Sequence, residues 1–331
     1  MISRCIVFEG PLEVAFAEID VPAPGPGQVV TRTLFTGVST GTETRVLRGA
    51  EVDQFPLIPG YENVGEVVEA GPGVTLVPGQ LVFHGGSDFT GRYARCWGAQ
   101  AGVALIEAAN AIPLPAGLDP VKALYAMVGG IALHGVNRAG VTKSDTVAVV
   151  GLGLIGSLAA QAARTRGARV IAIDREQDRL ATAKAAGFEV LDASGDGLEE
   201  RVRALCGGGV DVAIDATGVA SAVEQTARLV RGMPWTPPYP PSARVVLLGS
   251  YTEPVAFSYH PTLFDNEPDI LPSRYTTRHE MDEMLQLLAS GGVDPSLLPA
   301  RVLPFAEAPG AYRDLLDRKQ MRVVFDWRQD R

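Results

Sequence analysis

Residues 146–167 read TVAVVGLGLIGSLAAQAARTRG, and few folds accommodate such a run. TVAVV has the continuous apolar character of a strand buried on both faces. The Ala-rich stretch that follows is a strong helix former. Between them glycines fall at 151, 153 and 156. Gly151 permits the tight turn from strand to helix, Gly153 lets a phosphate approach the backbone, and Gly156 lets helix and strand pack closely. Leu154 and Ile155 open the helix, where amides without an intrahelical acceptor and the positive end of the dipole favour an anion. This spacing, in this strand-turn-helix setting, predicts a site for the pyrophosphate of a dinucleotide.

The sequence beyond the glycines repeats the same alternation. ARVIAID, EQDRLATAKAAG, FEVLDA, GLEERVRALCGGG, VDVAIDATG and ARVVLLGSY read as strand, helix, strand, helix, strand and strand. An α/β fold with a doubly wound parallel sheet of the Rossmann type follows. Asp174 ends the second strand, at the distance where a carboxylate hydrogen-bonds the ribose hydroxyls of a bound nucleotide. A 2'-phosphate facing it would cost about 1–4 kcal/mol at close range, so NAD is expected rather than NADP. Arg175 could turn toward such a phosphate or stack on the adenine. Thr217 and Gly218, and the run Leu248, Gly249, Ser250 and Tyr251, follow later strands, where open α/β sheets bind ligands. They are expected to flank the nicotinamide half of the cofactor, with Tyr251 turned to substrate.

Before residue 120 the texture is different. GQVVTRTLF, NVGEVVEAGPGV and GQLVFHGG are short, Val-rich segments broken by Gly and Pro, as in a small all-β unit. The expected division is a β unit of residues 1–120 and 268–331 around a nucleotide-binding unit of 121–267. The 331 residues, 46% hydrophobic and 20% charged, suffice for two cores. A formal charge of −9 opposes binding to a phosphate backbone, so no nucleic-acid partner is expected. The start, MISRCIVFEGPLEVAF, has neither the basic region nor the apolar core of a secretory signal, and no apolar run is long enough to cross a bilayer. A cytoplasmic protein without membrane association is expected. Cys5, Cys96 and Cys206 are scattered and odd in number, which points to free thiols.

A GroES-like β unit, a Rossmann unit and a short return segment together resemble the medium-chain dehydrogenase/reductase family, over essentially the full chain. The carriers are FTGVSTGTETRVLRG at 35–49, PLIPGYENVGEVVEAGPGV at 56–74, the glycine fingerprint and KQMRVVFDW near the end. STGTE, PGYE and MRVVFDWR look most like the branch of bacteriochlorophyllide a dehydrogenase, which oxidises a secondary hydroxyethyl group with NAD. The intact GLGLIG and the insertion MPWTPPYPPS depart from that branch. The resemblance implies that Arg322 reaches the cofactor pyrophosphate, and that the enzyme is a homodimer. It also implies where zinc ligands would stand in metal-dependent relatives: at Ser39, Tyr61 and Met127. None of these is a good zinc ligand, so no zinc is expected, although Glu43, Glu62 and His84 could form an irregular site.

Without a metal, hydride transfer needs another group to exchange a proton with the substrate oxygen. Tyr61 is the first candidate, provided that a neighbouring cation or ribose hydroxyl lowers its pKa. Ser39 and Thr40 could pass a proton, Thr42 could bind a substrate hydroxyl, and Glu62 could serve as a base. Glu43 is read either as a substrate contact or as the partner of Arg45 or Arg48. His84 could relay protons, Met127 could line the substrate site, and His134 reads as structural. The Pro-rich stretch 232–242 could be a rigid surface loop or, through Trp235 and Tyr239, a lid or subunit contact. The chain thus reads as a zinc-independent NAD-dependent enzyme acting on a secondary alcohol or ketone of a biosynthetic substrate. The alternatives are an NADPH-dependent enoyl or quinone reductase and a nucleotide-binding sensor without turnover.

Overall fold

The computed structural model describes residues 1–52, 54–89, 91–317 and 319–329. The chain divides into two compact units, one of residues 1–127, 285–289 and 298–331, the other of 128–284 and 290–297.

The first unit is built on the strand Gln28–Gly37, whose Val, Thr and Phe suit a pleated strand that is buried along nearly its whole length. It pairs antiparallel with Asn63–Ala70, with Val103–Glu107 and with Val323–Asp326. Two register shifts against Asn63–Ala70, between Val30 and Thr31 and between Thr33 and Phe35, bend this seven-stranded sheet. A four-stranded sheet lies on Ile2–Gly10. There the period of two is used on both faces. Ile6 and Phe8 join a core with Val46, Leu47, Tyr312, Phe325 and Trp327, and Cys5 and Val7 join another with Ile19, Val30 and Ile58.

FTGVSTGTETRVLRG is not the open loop its hydroxyls and glycines suggest. Strand Gln28–Gly37 runs into it, and an α-helix spans Thr40–Leu47. Burial of Val46 and Leu47 and a bond from the Ser39 amide to the Glu43 carboxylate outweigh the weak helix propensity of Thr and Gly. Gly49, at φ 82°, ends it in the left-handed conformation common after helix C-termini.

The second unit holds six parallel strands in the order 3-2-1-4-5-6 by appearance, beginning with Thr146–Val150 and including Arg169–Asp174, Glu189–Asp192, Val212–Asp215 and Arg244–Leu247. The sixth, Asp269–Pro272, pairs parallel with Arg244–Leu247. The unit therefore runs past the boundary expected at 267, and the Pro-rich stretch precedes the fifth of its strands. The glycine turn follows Thr146–Val150 and leads into the helix Leu154–Thr165, with Gly153 at its N-cap. Gly151 has φ 90°. A Cβ on Gly156 would overlap the Gly151 carbonyl oxygen.

Gly156→Ala must therefore push helix and turn apart. The expected cost of this overpacking is about 1–3 kcal/mol, seen by calorimetry as a fall of roughly 2–12 °C in melting temperature. An unchanged melting temperature would mean that the helix does not depend on this approach.

Candidate active site

The nucleotide cradle belongs to the second unit. Apart from the adjoining backbone, no atom of the described residues lies within 4 Å of where a Gly153 Cβ would be, so this side of the turn is open to a ligand. Leu154 and Ile155 lie in the first turn of the helix, where amides have no intrahelical acceptor, as an anion site requires. Asp174 is buried at the end of its strand. Its Oδ2 accepts from the Leu152 amide at 2.6 Å, its Oδ1 from the amides of Arg175 and Glu176 at 2.8 and 2.9 Å. The carboxylate expected to face a ribose thus also ties the glycine turn to the second strand. Arg179 reaches it at 3.4 Å, whereas the Arg175 side chain is exposed.

At the next strand ends the organiser is Asp215. Its buried carboxylate accepts from Thr217 N and Oγ1, from Tyr251 Oη at 2.7 Å and from Thr226 Oγ1 at 2.7 Å. Its carbonyl accepts from the amides of Leu248 and Gly249. Thr217, Gly218, Leu248, Gly249, Ser250 and Tyr251 are therefore gathered at one edge of the sheet. The Tyr251 hydroxyl, expected to meet substrate, is spent on Asp215, and burial with that carboxylate pushes its pKa well up.

In the first unit a buried hydroxyl cluster occupies the start of helix Thr40–Leu47. Tyr61 donates to Ser39 Oγ and lies 3.3 Å from Thr42 Oγ1. Thr40 stands apart, donating to the Met321 carbonyl. The lowered Tyr61 pKa expected of a proton-exchanging phenol is not what its surroundings produce. Burial, and then the charge of Glu62, push it upward, so the phenol stays neutral. Trp97, which no sequence signal singled out, sets its ring edge-on to Tyr61 at 4.9 Å. It is 42% exposed, on left-handed backbone at φ 69°.

Glu62 is not a free base either. Arg322 donates to its Oε2 at 2.5 Å and to the Leu124 carbonyl at 3.2 Å, and lies 4.2 Å over the Tyr125 ring. Both members of the pair are buried, and among the described residues the guanidinium Nε has no hydrogen-bond partner. The resemblance gives Arg322 to a pyrophosphate; here its charge is matched by Glu62. Glu43 pairs with neither Arg45, which binds Glu51, nor Arg48, which reaches the Leu316 carbonyl. It is wholly buried, with no surface for a substrate, and accepts from Ser39 N at 2.9 Å, Tyr312 Oη at 2.6 Å and Gln100 Nε2 at 3.4 Å. Desolvation pushes its pKa up to about 7.

His84 is also buried. A carbonyl only accepts, so the contact of Nδ1 with the Gly86 oxygen at 2.9 Å places the ring proton there, and Nε2 accepts from Thr31 Oγ1 at 3.1 Å. Burial lowers its pKa to about 4, and both nitrogens are committed, which removes it as a proton relay. Met127 is buried, with its Cε near the Gly85 backbone. His134 makes the structural contact expected of it, 2.7 Å from Glu280.

Two family models match the chain: the alcohol dehydrogenase GroES-like domain over residues 25–116, and zinc-binding dehydrogenase over 155–290. The chain is also 28% identical, over 99% of both chains, to the 2-desacetyl-2-hydroxyethyl bacteriochlorophyllide A dehydrogenase of Rhodobacter capsulatus.

The chain belongs to the medium-chain dehydrogenase/reductase family. This oxidoreductase also resembles the solved alcohol dehydrogenase TADH of Thermus sp. ATN1, with TM-score 0.82 and 26% identity over 98% of this chain and 99% of that one. A Sinorhizobium meliloti 1021 protein, solved with NADP bound and named for the zinc-binding dehydrogenases, gives TM-score 0.83 and 26% identity over 98% and 99%.

The family implies two groups, and the residues present answer differently to each. The open side of Gly153 and the first helical turn fit a dinucleotide pyrophosphate. Zinc takes thiolate, imidazole or carboxylate. Here Ser39 and Tyr61 offer hydroxyls bonded to each other, and the Glu62 carboxylate is held by Arg322. Among the described residues no group of three or more His, Cys, Asp or Glu side chains could hold a metal ion. These residues do not fit a zinc site.

Arg322→Met would strand the Glu62 carboxylate in the interior. Breaking one side of a buried pair costs about 3–5 kcal/mol, to be read by denaturant unfolding, and the double variant with Glu62→Gln is expected to recover most of it. Equal losses in the single and double variants would show that the pair carries no coupling.

Proposed function

We propose that the protein is a zinc-independent, NAD-dependent oxidoreductase that transfers hydride between nicotinamide and a secondary alcohol or ketone of a bulky biosynthetic substrate. The observation that carries this reading is the hydroxyl cluster of Tyr61, Ser39 and Thr42, in which Tyr61 and Ser39 stand where the resemblance puts zinc ligands in metal-dependent relatives. Bound NAD would supply the hydride acceptor. Gly151, Gly153, Leu154, Ile155 and Gly156 would hold its pyrophosphate, and Asp174 its adenosine ribose.

The role of Tyr61 follows from its neutrality. A phenol with a raised pKa donates a hydrogen bond to a carbonyl oxygen and stabilises the charge that develops there as hydride arrives; in alcohol oxidation the same hydrogen bond steadies the oxygen while its proton leaves to solvent water. Ser39 and Thr42 keep its hydroxyl oriented when no substrate is present. Loss of one such donor lowers kcat by about 10²–10³. Tyr61→Phe is expected to show that loss while NAD binding, measured by calorimetry, stays unchanged. Full activity in this variant would end the assignment.

The bacteriochlorophyllide relative supports a secondary hydroxyl beside a conjugated ring system, and exposed Trp97 next to Tyr61 supports a planar substrate face. The sixth strand, bonded in its sheet on one side, and the exposed Trp235, Tyr259 and Phe264 support a homodimer. A second reading, an NADPH-dependent enoyl or quinone reductase, draws on Arg179 beside Asp174, a cation available to a 2'-phosphate. Nicotinamide absorbance separates the two. Expected is NAD reduction with hydroxyethyl porphyrins or 1-phenylethanol, and a kcat/KM at least about tenfold higher for NAD than for NADP. NADPH oxidation by enones, with no reaction of any alcohol, would establish the second reading.

A further inference from the structure

Glu43 is a buried titratable group that the proposed chemistry leaves unused. Its carboxyl connects three separate segments: the Ser39 amide at its own helix start, Tyr312 on the helix Ala308–Leu316, and Gln100. Ser39 in turn accepts the hydrogen bond of Tyr61. We propose that Glu43 is the positioning residue of the Tyr61 and Ser39 pair, and that it holds Ser39 firmly only as a carboxylate. The catalytic consequence rests on the function proposed above; the effect on Ser39 does not.

The donors around Glu43 decide which form fits. The Ser39 amide and the Gln100 amide nitrogen can only donate, and Tyr312 is placed to donate as well, so an ionised carboxylate satisfies all three. A proton on Oε2 would require Tyr312 to turn and accept, would set one donor against Gln100, and would leave Ser39 a neutral oxygen. Bonds to an ionised acceptor are about twice as strong as neutral ones. Ser39, which has no side-chain cap bond of its own, then loses much of its hold.

The charges that face Glu43 bring this change into the neutral range. Tyr312 and the Ser39 amide favour the carboxylate, as does Gln100. Against them stand complete burial and the nearby Glu62, whose charge is itself matched by Arg322. Tyr61 and Cys96 lie within reach of the Glu43 charge, Arg45 of the same helix is bound to Glu51, and Arg48 is turned to the Leu316 carbonyl. The balance places the change of form near pH 7. Above it the site is held; below it Ser39 is loosened.

The test compares the full-length wild type with Glu43→Gln, an uncharged variant that keeps an oxygen for Ser39, and with Tyr312→Phe. Amide exchange of Ser39, followed by NMR and corrected for intrinsic rate, needs no substrate. Expected is protection that rises several-fold between pH 6 and pH 8 in the wild type, stays flat in Glu43→Gln, and has a displaced midpoint in Tyr312→Phe. The second readout is kcat with the alcohol substrate. It is expected to fall by up to tenfold from pH 8 to pH 6 in the wild type with KM changing less than twofold, and to stay low across that range in Glu43→Gln. Wild-type protection that does not change with pH, or a Glu43→Gln profile that follows the wild type, overturns the proposal. Exchange that behaves as expected in a protein inert toward every alcohol would support the link from Glu43 to Ser39 and refute the alcohol reading alone.

Discussion

Glu62 and Arg322 are 260 positions apart in the chain and meet in a buried ion pair. The geometry of the first unit is arranged around that meeting. A Cβ on Gly37 would run into Glu62 Oε2 and come within 2.9 Å of Arg322 Nη2, so the strand Gln28–Gly37 must end on a residue without one. Tyr125 lies under the guanidinium, and the Leu124 carbonyl takes one of its protons. Tyr61 sits one residue before the carboxylate and feels its charge. Two charges out of water are tolerable only when so closely matched, which restricts the segments that carry them.

The broad architecture was legible because its signals are local. A strand, three spaced glycines and a helix declare the nucleotide unit, and short Val-rich segments declare the β unit. The sixth strand, Asp269–Pro272, escaped because four residues ending in proline carry no period to read, and only its parallel partner makes it a strand. The helix Thr40–Leu47 escaped because its composition favours turns, and the contacts that decide the matter come from residues far away in sequence.

The site was less legible than the fold, and one error of principle explains much of it. Hydroxyls and carboxylates gathered in a sequence suggest groups free for substrate, but buried polar groups are spent first on one another. Tyr251 is spent on Asp215, His84 on Thr31 and Gly86, and Glu62 on Arg322. Glu43 was assigned to Arg45 or Arg48 by proximity alone. At a separation of two residues Arg45 lies on another face of the helix. Gln100 and Tyr312, its actual partners, carry no mark in their own neighbourhoods that could have announced them. Trp97 left one weak trace, the glycine that follows it.

The strand Val323–Asp326 lies in the large sheet between Gln28–Gly37 and Arg301–Pro304, and Arg322 immediately precedes it. A ribosome delivers the amino-terminal segments first. Glu62 is therefore made long before its counter-charge, and the sheet edge at Gly37 waits for a partner from the other end of the chain. The nucleotide unit, nearly continuous in sequence, is fully synthesised in the interval. The buried pair under the hydroxyl cluster can therefore close only after nearly the whole chain has been made.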